Sequence, residues 1–126
     1  MDYSEDDFNL AFDTYDFYNS IVIESEEKHF TLVERYHNFL EDNMNPSQIR
    51  KTYYKKKLNK SFNNLLTIYR KQLTAMEELI NIHKSNKIFF KKKKITLQAM
   101  NGLKNVTATL IEQLQVHQKQ INDVLS

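Results

Sequence analysis

Two Glu-x-x-His pairs, Glu26 with His29 and Glu34 with His37, are the residues in this sequence best spaced for metal chemistry. On a helix this spacing puts carboxylate and imidazole on one face, as in di-iron carboxylate bundles. Such a site needs the two pairs on different helices and further glutamates from the others. Here both pairs fall on one predicted helix, about 12 Å apart. We therefore predict exposed side chains and no metal site.

Other catalytic constellations are also missing. The chain has no cysteine and a single glycine, Gly102, whereas phosphate-binding loops and serine nucleophile elbows need several glycines. His83 and His117 fall on predicted core faces and are expected to be partly buried rather than to bind a metal. We predict no catalytic residue, no cofactor and no small-molecule substrate, and hence a protein that is not an enzyme.

The elements that position these side chains are predicted to be long helices. With one glycine and one proline, Pro46, in 126 residues, the chain cannot supply the tight turns of a sheet-rich domain. The clearest helical signal is a row of apolar or aromatic residues and one histidine at steps of four and three, and Leu65 and Leu79 widen it enough to contact two neighbouring helices. Its members are Phe62, Leu66, Tyr69, Leu73, Met76, Ile80 and His83.

We predict a single all-α domain over residues 1–126, in which three long antiparallel helices form an up-down-up bundle with coiled-coil-like packing. Helix 1 covers about 4–43, is capped by Ser4 and has a candidate kink at 20–28. Helix 2 covers about 46–83, with Asn45 as its cap. Helix 3 covers about 88–124, and its apolar row includes Leu103, Val106 and Val124. The alternative is one uninterrupted helix from 46 to the C-terminus, without a turn at 84–87.

Charge is strongly segregated along the chain. Residues 1–45 carry twelve acids against Lys28 and Arg35, and residues 46–100 carry fourteen basic residues against Glu77 and Glu78. In an antiparallel bundle the acidic helix 1 would lie beside the basic helix 2. Its start would lie near Lys84, Lys87 and Lys91 to Lys94, and its end, Glu41 and Asp42, near Arg50 and Lys51. Much of the asymmetry is then expected to be neutralised within the molecule, although each exposed pair contributes only about 0–1 kcal/mol.

The basic runs at 50–60 and 84–94 suggest an alternative role. With Tyr53, Tyr54, Phe89 and Phe90 interleaved, they could contact phosphates and stack on bases, so nucleic acid or an anionic surface is the alternative ligand. The candidate residues for that role are Arg50, Lys51, Lys55, Lys56, Lys57, Lys91, Lys92, Lys93 and Lys94.

Aromatic residues outside the main helical faces favour a protein partner, which could be a helical client or a second copy of the chain. A slender bundle has little core for its surface, and its apolar rows are wider than its own packing needs. The residues predicted to bind the partner are Phe12, Tyr15, Asp16, Phe17, Tyr18, Tyr36 and Phe39.

Two segments, Phe12 to Asp16 and Tyr3 to Asp7, have the form aromatic-x-x-x-Asp. With its small size, its lack of cysteine and its near lack of glycine, the chain resembles the helical accessory partners of type VII secretion substrates in Gram-positive bacteria. The resemblance implies a chaperone-like or targeting partner for a Leu-x-Gly toxin. The chain has no Trp and so departs from the Trp-x-Gly turn of the small two-helix secretion proteins.

Residues 1–7 carry four acids and no basic residue, unlike a signal peptide. No stretch approaches the roughly 18 apolar residues of a membrane span. We therefore expect a soluble, cytoplasmic protein, or one that is exported without a cleaved leader.

Overall fold

A computed structural model describes residues 3–126, and Met1 and Asp2, which include one of the four N-terminal acids, lie outside this range. The described chain is all-α, with no strand in residues 3–126. Its helices are α1 (Glu5–Asp42), α2 (Gln48–Ser85), α3 (Ile88–Lys92) and α4 (Leu97–Leu125). Three of the four are long, so the prediction of only three helices is wrong in one detail, the short α3.

The ends of α1 and α2 follow from local capping. The Ser4 hydroxyl accepts a hydrogen bond from the N–H of Asp7, and the Asp7 carboxylate accepts one from the N–H of Ser4. These two hydrogen bonds confirm the predicted cap of α1. Helix α1 then continues to Asp42 without a break at 20–28. At α2 the predicted cap is wrong. Helix α2 begins at Gln48, so the cap position falls on Ser47 rather than on Asn45. The Ser47 hydroxyl accepts a hydrogen bond from the N–H of Arg50 and so satisfies an unpaired donor of the first turn.

The basic segment after α3 interrupts what the sequence analysis treats as one helix. Lys94 has a φ of 55°, and Thr96 caps α4 by accepting the N–H of Ala99. A helix through residues 91–94 would place four lysines on consecutive positions, and like charges on neighbouring turns destabilise a helix. The turn also leaves Phe89 and Phe90 buried in the core.

Helix α2 is the centre of the fold, since it packs against both α1 and α4. This confirms that its apolar face contacts two neighbours, and Leu65 and Leu79 are both buried. Hydrogen bonds across α1 and α2 pair Asn19 with Gln72 and His29 with Ser61, so residue numbers fall along one helix as they rise along the other. Across α2 and α4, Asn59 pairs with Asn122.

Two clusters form the core. The first lies around Phe62 and contains Tyr36, Leu58, Leu66 and Leu114 among its buried residues. The second lies at the other end of α2 and is built on Phe8, Leu79, Ile82, Phe90 and Met100. In the second cluster the ring of Phe8 lies 5.3 Å from that of Phe89 and 6.2 Å from that of Phe90, which holds α3 against the start of α1.

Gly102 lies on the exposed side of α4, and a Cβ built there meets no atom within 4 Å. It therefore does not mark a close helix crossing. We expect Gly102→Ala to raise the free energy of unfolding by about 0.5–1 kcal/mol, because alanine loses less backbone entropy on folding. Urea denaturation followed by circular dichroism tests this, and a destabilised variant would contradict it.

Candidate interaction surfaces

The aromatic residues predicted to bind a partner do not share one surface. Tyr36 is 1% exposed and Phe39 is 8% exposed. Their predicted place outside the packed faces is therefore wrong. Both are needed in the core: Tyr36 belongs to the first cluster, and Phe39 stacks on Tyr54 with ring centroids 4.7 Å apart. Burial also raises the pKa of Tyr36.

The remaining five candidates lie along the first half of α1. Phe12 and Tyr15 are half-buried against the second core cluster, and the ammonium of Lys93 lies 4.8 Å from the centroid of the Phe12 ring. Asp16 and Phe17 are exposed, and Phe17 makes an edge-to-face pair with the half-buried Tyr18 at 5.1 Å. Phe17 is therefore the candidate ring that is most accessible to another molecule.

One of the two aromatic-x-x-x-Asp segments has a structural explanation. Asp7 closes the cap of α1, and its carboxylate accepts the N–H and the hydroxyl of Ser4. These hydrogen bonds lower the pKa of the Asp7 carboxyl. The other segment, Phe12 to Asp16, lies on one continuous turn of α1, with its aspartate exposed.

The predicted neutralisation of the basic runs by α1 is limited. Within residues 3–126 the ion pairs are Lys92 with Glu5 at 2.9 Å and Lys28 with Glu24 at 3.0 Å. The expected pairing of Arg50 with Glu41 or Asp42 is absent from these described pairs, and the Arg50 guanidinium instead lies 5.9 Å from the centroid of the Phe39 ring. All nine candidate anion-binding residues are exposed except Lys51, which is half-buried.

In the fold, the residues of the two Glu-x-x-His pairs have different surroundings and different partners. Glu26 accepts a hydrogen bond from the Tyr69 hydroxyl at 2.6 Å, and this bond and burial raise the pKa of Tyr69, with burial the larger cause. His29 is buried and its Nδ1 lies 2.7 Å from the Ser61 hydroxyl. Glu34 is exposed. The prediction of exposure is thus wrong for the buried His29 and for the half-buried Glu26, and right for Glu34 and His37. Among residues 3–126 no three His, Asp or Glu side chains are grouped so as to hold a metal ion.

Three histidines meet where α1 and α4 approach each other. The ring of Phe62 lies 4.4 Å from His29 and 5.4 Å from His117, and His117 stacks on His37 at 6.5 Å. Burial, with a smaller contribution from the charge of His117, lowers the pKa of His29 to about 4. Burial and the charge of His37 lower the pKa of His117. The lowered pKa values of His29 and His117 favour the neutral forms of these two rings near pH 7.

Two heptad rows lead away from this histidine contact, one on α1 and one on α4, and we call the surface between them the α1–α4 cleft. On α1, Ile23 and Phe30 precede His37 at steps of seven and are exposed. On α4 the row is Leu103, Leu110, His117 and Val124, with Val106 between its first two members. Of these, Leu103, Val106 and Val124 are exposed although the sequence places them on an apolar face.

Comparison with protein-family models, with curated proteins and with solved structures finds no match to this chain. The surfaces must therefore be interpreted from their own chemistry.

The α1–α4 cleft was only partly accessible to sequence reasoning. Leu103, Val106 and Val124 were placed on an apolar face, but Ile23 and Phe30 were not identified as candidates. The signal that could have found them is their spacing of seven from His37.

Within residues 3–126, no helix has a stretch both long and apolar enough to cross a bilayer.

Proposed function

We propose that this chain is a non-enzymatic interaction subunit, in which three long antiparallel helices present the α1–α4 cleft to a helix of a larger protein. The exposed apolar rows of the cleft carry the proposal. Ile23 and Phe30 on one side and Leu103 and Val106 on the other match the way an amphipathic helix inserts its apolar face between two helices. Packing a client helix there would cover apolar surface that the chain's own packing leaves open.

The resemblance noted from the sequence supports a more specific client. We propose a chaperone-like or targeting partner of a helical client such as a type VII secreted toxin, acting in the cytoplasm or exported with its client without a cleaved leader. The exposed Asp16, one turn after Phe12, is available for such a role.

Photo-cross-linking in the source organism tests the cleft. A photoreactive residue replaces Val106 in one variant of the full chain and Val116 in the matched control. Both valines are exposed on α4, but Val116 lies outside the heptad row. We expect a protein cross-linked at position 106 and little at position 116. Val106→Asp should reduce capture of the same client at least about tenfold, with Val116→Asp close to the wild type.

Equal cross-linking at both positions, or capture unchanged by Val106→Asp, would contradict the cleft as the binding site. Binding should also change little with ionic strength, because the contact is mainly apolar.

A second candidate function is nucleic-acid binding, and it is favoured by the scarcity of ion pairs at the basic runs. Lys91, Lys93 and Lys94 make no ion pair with another described residue, so their charge is open to phosphates. Affinity for DNA or RNA should then fall steeply between about 50 and 200 mM salt. Replacing Lys91 to Lys94 by glutamine should abolish it while leaving capture at Val106 unchanged.

A further inference from the structure

A second row of side chains on α1 runs beside its core-facing side, and one member, Leu32, packs against the first core cluster. Before Ile21 it contains Asp7, Leu10, Thr14 and Phe17. After Ile21 it contains Ser25, Lys28, Leu32 and Arg35. The steps are of three or four residues, with two fours in succession at Ile21, and they average 3.5 residues, which is the period of a helix that packs against another along its whole length. Leu10 is 71% exposed and Phe17 is 57% exposed.

One groove on α1 alone is lined by Glu24 and Glu27 as well as by Lys28 and Arg35. The row also borders two grooves on one flank of the α1–α2 pair. The larger, of about 710 Å³, is rimmed by the cations Lys28, Arg35, Lys57 and Lys60, and Leu32 and Ile68 contribute apolar surface. The smaller, of about 360 Å³, lies along Asp7, Leu10 and Thr14 of α1. Among the described residues, Arg35, Lys57 and Lys60 have no ion-pair partner, whereas Lys28 forms an ion pair with Glu24.

The two basic residues of the acidic first third of the chain, Lys28 and Arg35, therefore both lie in the larger groove. The acids at the start of α1, which include Asp6, Asp7 and Asp13, flank the exposed Leu10 and Phe17 at its other end. Within the row, the acid Asp7 lies at one end and the cations Lys28 and Arg35 at the other, with Glu24, Glu27 and Glu34 beside those cations on α1. A helix that enters the cationic groove needs acidic residues around apolar ones, and the start of α1 has this pattern.

The row is also symmetric about Ile21. Phe17 and Ser25 lie four residues from it, Leu10 and Leu32 eleven, and Asp7 and Arg35 fourteen. When two copies of α1 run in opposite directions with their Ile21 side chains together, Leu10 of each copy meets Leu32 of the other, and Asp7 meets Arg35. The shared row is about 42 Å long at about 1.5 Å per residue. Such a contact is closed by a two-fold axis, the commonest symmetry of protein dimers.

We propose that the α1–α2 flank binds α1 of a second copy of this chain, in antiparallel orientation about Ile21. The acidic start of each α1 enters the cationic groove of its partner, Leu10 of each copy covers Leu32 of the other, and each Phe17 ring packs beside Ser25 of the other copy. This surface is separate from the α1–α4 cleft, so each copy in the dimer keeps its cleft open for a client.

Cysteine cross-linking tests the register, because the wild-type chain has no cysteine. Ile21→Cys lies on the proposed axis and should give a disulfide-linked or bismaleimide-linked dimer. Ile23→Cys, exposed on another side of the same helix, is the matched control and should cross-link little. Leu10→Cys and Leu32→Cys should each cross-link weakly alone and strongly when mixed, as the antiparallel register requires.

Sedimentation of the wild-type chain gives an independent readout that does not need Ile21 to be changed. We expect a concentration-dependent species of twice the chain mass of 15.1 kDa. Arg35→Glu with Lys60→Glu should raise its dissociation constant at least about tenfold, because attraction to the partner's acids becomes repulsion.

A chain that stays monomeric at every concentration overturns the proposal. Equal cross-linking at positions 21 and 23, or strong linking of Leu10→Cys with itself, overturns the antiparallel register. If the charge variants instead reduce client capture, the groove binds an acidic helix of the client and the self-association is wrong. A monomeric chain or a wrong register leaves the α1–α4 cleft unaffected, and that cleft is tested separately at Val106.

Discussion

Replacing Phe62 by alanine is expected to lower the free energy of unfolding by about 3–5 kcal/mol, which would be a large part of the stability of a single domain. The side chain is 0% exposed, and its ring contacts His29 from α1 and His117 from α4. Truncation therefore leaves a cavity where all three long helices meet. A rigid interior closes such a cavity only in part, so both transfer free energy and packing are lost.

Chemical denaturation by urea, followed by circular dichroism at the helical band, measures this loss. Phe30→Ala is the matched control, since it removes the same ring from an exposed position outside the proposed dimer contact and should change stability by less than about 0.5 kcal/mol. If both variants lost similar stability, Phe62 would not be the centre of the core.

Much of the fold could be predicted because its signals are local and periodic. The heptad row on α2 specifies a helix with two neighbours, and the scarcity of glycine and proline excludes a sheet. The break after α3 was missed because Phe89 and Phe90 continue a helical pattern, whereas the turn depends on four adjacent lysines and on the Thr96 hydroxyl. Capping of this kind is decided by a single hydrogen bond, which periodicity does not reveal.

The interaction surfaces were harder to predict, for a physical reason. Helix α1 has an apolar or aromatic residue on almost every side, and burial depends on where its neighbours lie. Tyr36 and Phe39 are inside because Tyr54 and Leu58 of α2 pack against that part of α1. Phe17 and Phe30 are outside because no described helix covers them. Sequence spacing can show that two faces exist but cannot show which one the chain itself fills.

Acidification should destabilise the protein through His29, whose side chain is 1% exposed. Its Nδ1 lies 2.7 Å from the Ser61 hydroxyl, and its Nε2 has no partner among the described residues, so the folded protein holds the ring neutral. Burial, assisted by the charge of His117, lowers the pKa from the ordinary 6.5 to about 4. Between these values the unfolded chain binds the proton more readily than the folded one.

The contribution of His29 to stability is therefore fully present above about pH 6.5. It falls as the pH drops towards 4 and is lost below that value. At about pH 5.5, before most carboxylates are protonated, the expected loss relative to pH 7.5 is about 1–2 kcal/mol. Urea midpoints of the wild type and of His29→Gln at the two pH values isolate it, since glutamine can still bond Ser61 but does not titrate. The same decrease in both proteins would show that the pH dependence arises elsewhere.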